Sequence, residues 1–264
     1  MDLLYYSKAA ILGFVQGFSE FLPISSTAHL LLSVELLRID LNDFIKSFVI
    51  IIQLGSILAV LVLYWNKIIS NISIYFKKLL VAFIPTAILG LIFYKVVKNV
   101  FQESFLIISL ALFLGGILIL ILEKRHKREV DTNLNSEWIN EISYKKCFYI
   151  GIFQALAMIP GVSRSAATIF GGLSLGVSRK SIVEFSFLLA IPTMAAASGL
   201  DLIKSSFSFN QKELIFLTIG FVLSFFVAII FIKFLINYIK KNDFKIFAWY
   251  RIFLAIAILI FFYL

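Results

Sequence analysis

The chain has 264 residues, of which 61% are hydrophobic and 15% are charged. Soluble domains average about 45–50% apolar and about 25% charged, so a chain this apolar cannot fold its surface away from water, and its solvent must be lipid. Twenty-four Lys and Arg against 15 Asp and Glu give a net charge of +9, but the basic residues lie between apolar runs, where cytoplasmic loops collect them, and nucleic-acid binding is not expected.

The N-terminal stretch carries only Lys8 as a basic residue, and its apolar run is broken by Gln16, Glu20 and His29. It reads as mature protein rather than as a signal peptide. Residues 8–37 are the first of two apolar but broken regions, in which Gly13-Phe14-Val15-Gln16 leads to Pro23-Ile24-Ser25-Ser26-Thr27. Pro23 lacks a backbone donor and disfavours the α conformation in the residue before it. Ser25 is a good N-cap for a new helix. The expected form is helix, break, helix, folded back as a re-entrant hairpin whose halves of about 13 residues are too short to cross alone. Such a break is tolerated at membrane depth where it is buried in protein or lines a watery cavity.

Three apolar segments of spanning length follow, over 44–65, 79–97 and 105–122. The polar stretch from Glu123 to Lys146 reads as a solvated cytoplasmic loop, and His126, set among Lys and Arg, is assigned no chemistry. The second broken region, 147–177, opens on Cys147, the only cysteine and an apolar filler, which excludes a disulfide within the chain. Here Gly151-Ile152-Phe153-Gln154 leads to Pro160-Gly161-Val162-Ser163-Arg164-Ser165. Three more spans are expected over 185–203, 214–236 and 247–264.

Gly13 and Gly151, Gln16 and Gln154, Ser25 and Ser163, and Ala28 and Ala166 all share one offset of 138 residues. The pattern is an internal repeat. A hairpin crosses the membrane zero times and three spans separate the two hairpins, so the second must enter from the opposite face. The expected fold is an all-α integral membrane protein with six transmembrane helices plus two re-entrant helical hairpins in an inverted-topology repeat. It forms one membrane domain, with repeats over 1–122 and 147–264 joined by the loop 123–146. Seven basic residues then fall on the face of the N-terminus and fifteen on the other, with Arg164 and Arg251 inside apolar segments completing the 24. By the positive-inside rule the termini face outward, away from the cytoplasm.

Ionisable residues inside a bilayer cost at least about 2.5–3.5 kcal/mol each, so those kept there have a function by default. The first break holds Glu20 and His29, and the second holds Arg164. Two helix N-termini converging with the hydroxyls of Ser25, Ser26, Thr27, Ser163 and Ser165, and with Gln16, form an anion site. Arg164 adds a planar donor fork suited to phosphate. A carboxylate such as Glu20 beside a phosphate calls for a divalent cation between them. His29 can serve as nucleophile or general acid and base, and Ser26 is another candidate nucleophile. The bland alternatives are a Glu20–Arg164 ion pair joining the repeats, a hydrogen-bonded core histidine, and helix-capping hydroxyls, the last favoured for Ser19 and Thr168. Arg251 is expected to snorkel or to pair within the last span, and Gln53 to line the cavity.

The run from Gln16 to His29 resembles the first signature of the undecaprenyl-diphosphate phosphatases of the bacitracin-resistance family, and Pro160 to Thr168 resembles the second. The resemblance extends over the whole chain. It implies release of the terminal phosphate of undecaprenyl diphosphate with Mg2+ or Ca2+, recycling of the carrier lipid for peptidoglycan synthesis, bacitracin resistance, and a place in the bacterial cell (inner) membrane. Carried over, Glu20, Ser26, His29 and Arg164 are catalytic, with Glu20 the metal carboxylate. The chain departs from the pattern at Gln16, where many members carry Glu, and at Ala28 and Ala166, where Gly is common. The unrelated acid-phosphatase-like lipid phosphatases need a second histidine just after their Ser-Arg motif, and none follows Arg164. The alternative from another class is a lipid-phosphate transporter or flippase, with Glu20, His29 and Arg164 as a proton-coupled anion site. A homodimer is compatible with the sequence, which does not fix the assembly.

Overall fold

The computed structural model describes residues 2–96, 104–125, 138–204 and 209–263. Every regular element among them is helical: α1 (Asp2–Ser19), α2 (Ser26–Leu36), α3 (Asp43–Ser70), α4 (Ile72–Val96), α5 (Phe105–Arg125), α6 (Tyr144–Ala155), α7 (Arg164–Ser174), α8 (Arg179–Lys204), α9 (Gln211–Ile239) and α10 (Lys245–Tyr263). Short 3-10 turns lie at Trp138–Glu141 and Leu156–Met158. The helices α3, α4, α5, α8, α9 and α10 are long and apolar enough to cross a membrane. At about 1.5 Å per residue even α10, the shortest, reaches roughly 28 Å, close to the hydrocarbon thickness of about 30 Å. They coincide with the six expected spans, and the protein is a multi-pass membrane protein.

The outer surface supports this. Leu91, Phe253 and Leu114 are each more than 60% exposed, amid many other large apolar side chains. Water would not tolerate that surface, whereas lipid requires it.

Both broken regions fold as helix, break, helix, with some boundaries moved. The first arm begins at Asp2 rather than near residue 8 and has 18 residues, against 11, 12 and 11 for α2, α6 and α7. Its extra turns are held by Tyr5, whose ring meets Phe216 of α9 at 4.7 Å. The arm α6 begins at Tyr144, where Ser143 caps it by accepting from Lys146 N. The expected loop 123–146 is only partly solvated. Glu123 belongs to α5, and Trp138, Ile139 and Ile142 are buried in the main core, so three apolar side chains pull the end of the connection inward. His126 and residues 126–137 lie outside the described residues.

Packing pairs α1 with α9, α4 with α6, α5 with α10, and α3 with α8 and α9. Four of these crossings bring backbones into contact at glycine, and two of the four correspond. A Cβ on Gly13 of α1 would strike the carbonyl of Gly220 in α9, and one on Gly151 of α6 would strike that of Ala82 in α4. The partners Gly220 and Ala82 stand 138 residues apart, the offset that also relates Gly13 and Gly151.

A further ion pair ties three helices at one end of the bundle. Glu123 Oε2 accepts from Arg179 Nη2 at 2.6 Å, and its Oε1 accepts from Phe244 N at 3.2 Å, just before α10. Both side chains are mostly buried. Glu123→Ala would strand a cation and a backbone donor, and is expected to destabilise the fold by about 3–5 kcal/mol. Thermal unfolding in detergent measures this, and an unchanged midpoint would count against it.

Candidate active site

The two breaks are built alike. Ser25 and Ser163 precede α2 and α7 with φ of 75° and 74°, a left-handed conformation that is unfavourable for side-chain-bearing residues by about 1–2 kcal/mol each. Each offsets part of that cost by capping: Ser25 Oγ accepts from Ala28 N and Ser163 Oγ from Ala166 N. Each therefore presents the next residue as the first of a helix, Ser26 in one copy and Arg164 in the other. These two share the 138-residue offset, so one position of the repeat carries a hydroxyl in the first copy and a guanidinium in the second.

The breaks meet. Ser165 Oγ donates to Leu22 O at 2.8 Å across them. Arg164 Nη2 donates to Glu20 Oε1 at 3.0 Å, linking residues 144 apart in sequence. Glu20 Oε2 accepts from Ser26 Oγ at 2.8 Å and from Gln16 Nε2 at 2.9 Å. The other guanidinium end, Nη1, donates to Ser186 O at 2.8 Å, and Phe21 lies under the group at 5.7 Å. Glu20 is thus a buried carboxylate held by three donors of three kinds, with Arg164 supplying the compensating charge.

A cavity of about 520 Å³ opens beside this cluster, within the range of small-molecule sites. Glu20, Ser25, Ser26, Thr27, Ser163 and Arg164 line its polar end, and residues from α3, α4, the 156–158 turn and α8 line the rest. Gln53 is among them, as expected. A second polar group on the wall joins three helices, where Gln154 Nε2 donates to Thr86 Oγ1 and Thr193 Oγ1 at 2.9 and 3.0 Å.

Three of the expected site residues stand behind the wall. Gln16 is fully buried against Glu20, with its Oε1 lacking any partner among the described residues. Ser165 is spent on the bridge to Leu22. His29 is buried, with Nδ1 2.7 Å from Ser25 O and Nε2 2.6 Å from Tyr250 Oη, its ring stacked on that tyrosine. A carbonyl can only accept, so neutral His29 carries its proton on Nδ1 and Nε2 accepts from the Tyr250 hydroxyl. Ser19 and Thr168 each bond a carbonyl one turn back, and Thr168 Oγ1 also pairs with Ser186 Oγ at 2.6 Å.

Arg251 does not snorkel. Its side chain is fully buried and donates to five carbonyls: Pro23 and Val162 from Nη1, Ala111 and Gly161 from Nη2, and Leu112 from Nε, at 3.0–3.4 Å. The physical reason is that both breaks leave carbonyls without helical partners beside the middle of α10. The sequence reading also missed Tyr250 and Ser186. Each is a polar residue within a span, which is a usable signal at membrane depth, though neither sits near the signature it serves.

Fold and site together define a polytopic membrane protein that gathers a carboxylate, a guanidinium and a hydroxyl from two interrupted helices onto one cavity. The chain belongs to the bacitracin resistance protein BacA family, whose profile matches residues 9–257. It is 50% identical over 259 residues to an undecaprenyl-diphosphatase of Wolinella succinogenes, covering 98% of each chain. It is 47% identical over 255 residues to that of Aquifex aeolicus, covering 97% of this chain and 98% of the relative. To an undecaprenyl-diphosphatase of Enterococcus faecalis it is 42% identical over 275 residues, covering 98% of each.

Proposed function

We propose that the protein hydrolyses undecaprenyl diphosphate to undecaprenyl phosphate and inorganic phosphate, recycling the carrier lipid for peptidoglycan synthesis and conferring bacitracin resistance. The observation that carries this reading is the cluster in which one carboxylate, Glu20, holds both Ser26 and Arg164 at the polar end of a largely apolar cavity. The diphosphate would sit against Thr27, Ser163 and the α2 and α7 N-termini, where free N–H groups favour anions. The first isoprene units would lie along the apolar walls, among Phe83, Leu91 and Met158.

In this reading Ser26 Oγ attacks the terminal phosphorus while its proton passes to Glu20. The bridging P–O bond breaks, undecaprenyl phosphate leaves, and water then hydrolyses the phosphoserine. Ser26 is preferred over His29 as nucleophile because its Oγ already donates to the carboxylate on the cavity wall, whereas both His29 nitrogens are engaged behind it. Arg164 holds the phosphate oxygens and stabilises the charge that develops on them. His29 is then a positioning residue. Tyr250→Phe, which keeps the ring and removes the hydroxyl, is expected to lower turnover about three- to tenfold, the worth of one hydrogen bond; unchanged turnover would detach Tyr250 from the site.

Glu20 fits the role of metal carboxylate. Among the described residues no cluster of three or more His, Cys, Asp or Glu could cage an ion. Mg2+, however, commonly takes one carboxylate together with phosphate oxygens and water. When bound there, Mg2+ or Ca2+ would neutralise phosphate charge and draw the diphosphate against Glu20.

The deciding experiment is phosphate release from undecaprenyl diphosphate by the purified protein in detergent. A transporter or flippase alone would release none. We also infer an inverted-topology repeat, with re-entrant hairpins and both termini on the outer face. The reciprocal Gly13–Gly220 and Gly151–Ala82 contacts and the seven-to-fifteen bias of basic residues support it. Reporter fusions at both termini that are active only in the cytoplasm would contradict that orientation.

A further inference from the structure

We propose that Arg251 is a positioning residue that sets the two breaks in register, fixing Glu20 and Ser26 opposite Arg164. This rests on the phosphatase reading for its kinetic consequence, though not for its structural one. The guanidinium draws one carbonyl from the first break, Pro23, and two from the second, Gly161 and Val162, and ties all three to Ala111 and Leu112 of α5. Pro23 is two residues before Ser25, and Val162 immediately precedes Ser163, the two left-handed caps that launch α2 and α7. The pin therefore grips the backbone just upstream of both reacting ends.

Its chemistry suits that task. A buried cation with no carboxylate among the described residues is costly unless every proton has an acceptor, and these five carbonyls meet the five N–H groups of a guanidinium in number. Breaks in a helix leave carbonyls unpaired, and at membrane depth water is scarce to satisfy them. One planar fork resolves both costs at once, and only while the two breaks stay together. The neighbouring helix is shaped to admit it: a Cβ on Gly115 of α5 would collide with the Arg251 guanidinium. Arg251 lies on α10, outside both signatures, and does not line the cavity. It acts through backbone and not on substrate.

The test is Arg251→Lys, which keeps the charge but offers three donors to five acceptors. Purified in detergent, it is expected to keep KM within about threefold while kcat falls on the order of 100-fold, since a shift of about 1 Å in a reacting pair costs that much. Hydrogen exchange provides a readout independent of activity. The amides of 20–27 other than Pro23, and those of 161–166, should both exchange at least about tenfold faster, with the α1–α9 crossing unchanged. Wild-type kcat, or faster exchange at one break only or at neither, would overturn the pin. So would a loss of activity that tracks only the loss of folded protein. If Arg251→Lys does not fold, Gly115→Ala, which crowds the same guanidinium from α5, must reproduce the kcat loss and the paired exchange; a folded Gly115→Ala with wild-type values refutes the proposal. A wild type that releases no phosphate would sink the phosphatase reading, and the exchange measurement would still decide the pin.

Discussion

Arg164→Ala is expected to lower phosphate release at least about 100-fold, because its guanidinium is the one cation lining the described cavity and, in the phosphatase reading, stabilises the charge on the phosphate oxygens. The same change strikes the fold. Glu20 would keep Gln16 and Ser26 but lose its charge partner, and stranding one half of a buried pair costs about 3–5 kcal/mol. The two effects separate in Arg164→Lys. Lysine can still neutralise Glu20, but one ammonium cannot reproduce the fork by which Nη2 meets Glu20 and Nη1 meets Ser186 O. This variant should unfold near the wild-type temperature yet release phosphate at least about 30-fold more slowly, since its remaining donor is a point charge rather than a bidentate group. A Lys variant with near-normal turnover would reduce Arg164 to a structural counter-ion, the bland alternative that the sequence leaves open.

That alternative shows how far the residues could be read without the structure. Pro23 with Ser25, and Pro160 with Ser163, mark both breaks, because the missing amide and the capping hydroxyl act locally and are visible in a short window. The six spans are legible for the same reason. Glu20 and Arg164 stand out by their cost at membrane depth, and the pairing that the sequence offers as an alternative is present in the structure at 3.0 Å. What stayed hidden depends on long-range acceptors. Tyr250 meets His29 across 221 residues, and nothing near either announces the other. Arg251 was noticed as an intramembrane cation, but its five acceptors are main-chain carbonyls, which every residue possesses and no sequence distinguishes. The buried end of the connection before α6 is hard to see in sequence because Trp138, Ile139 and Ile142 stand in a mostly polar stretch, yet three apolar side chains suffice to bury it.

Glu20 carries the second large effect. In Glu20→Gln the side chain keeps its shape, and one oxygen can still accept from Arg164. The new amide nitrogen, however, would face Gln16 Nε2 and Ser26 Oγ, both of which now donate to a carboxylate oxygen. A donor would stand where an acceptor now does, the proton acceptor proposed for Ser26 would be gone, and the one carboxylate lining the described cavity would be lost to a divalent cation. General-base removal alone is worth about 100- to 10,000-fold, so turnover should fall at least 100-fold, by that same rough scale, in Glu20→Gln and in Glu20→Ala alike. Chelation should stop the wild type and added Mg2+ should restore it, whereas excess Mg2+ should rescue neither variant. A readout apart from activity is the melting temperature with inorganic diphosphate present. Mg2+ should raise it for the wild type, because binding to the folded state alone stabilises by mass action, and should leave it unmoved for Glu20→Gln. Full wild-type activity in excess chelator would remove the cation from the reaction. An equal Mg2+ response in Glu20→Gln would place the ion elsewhere and leave Glu20 as the base alone.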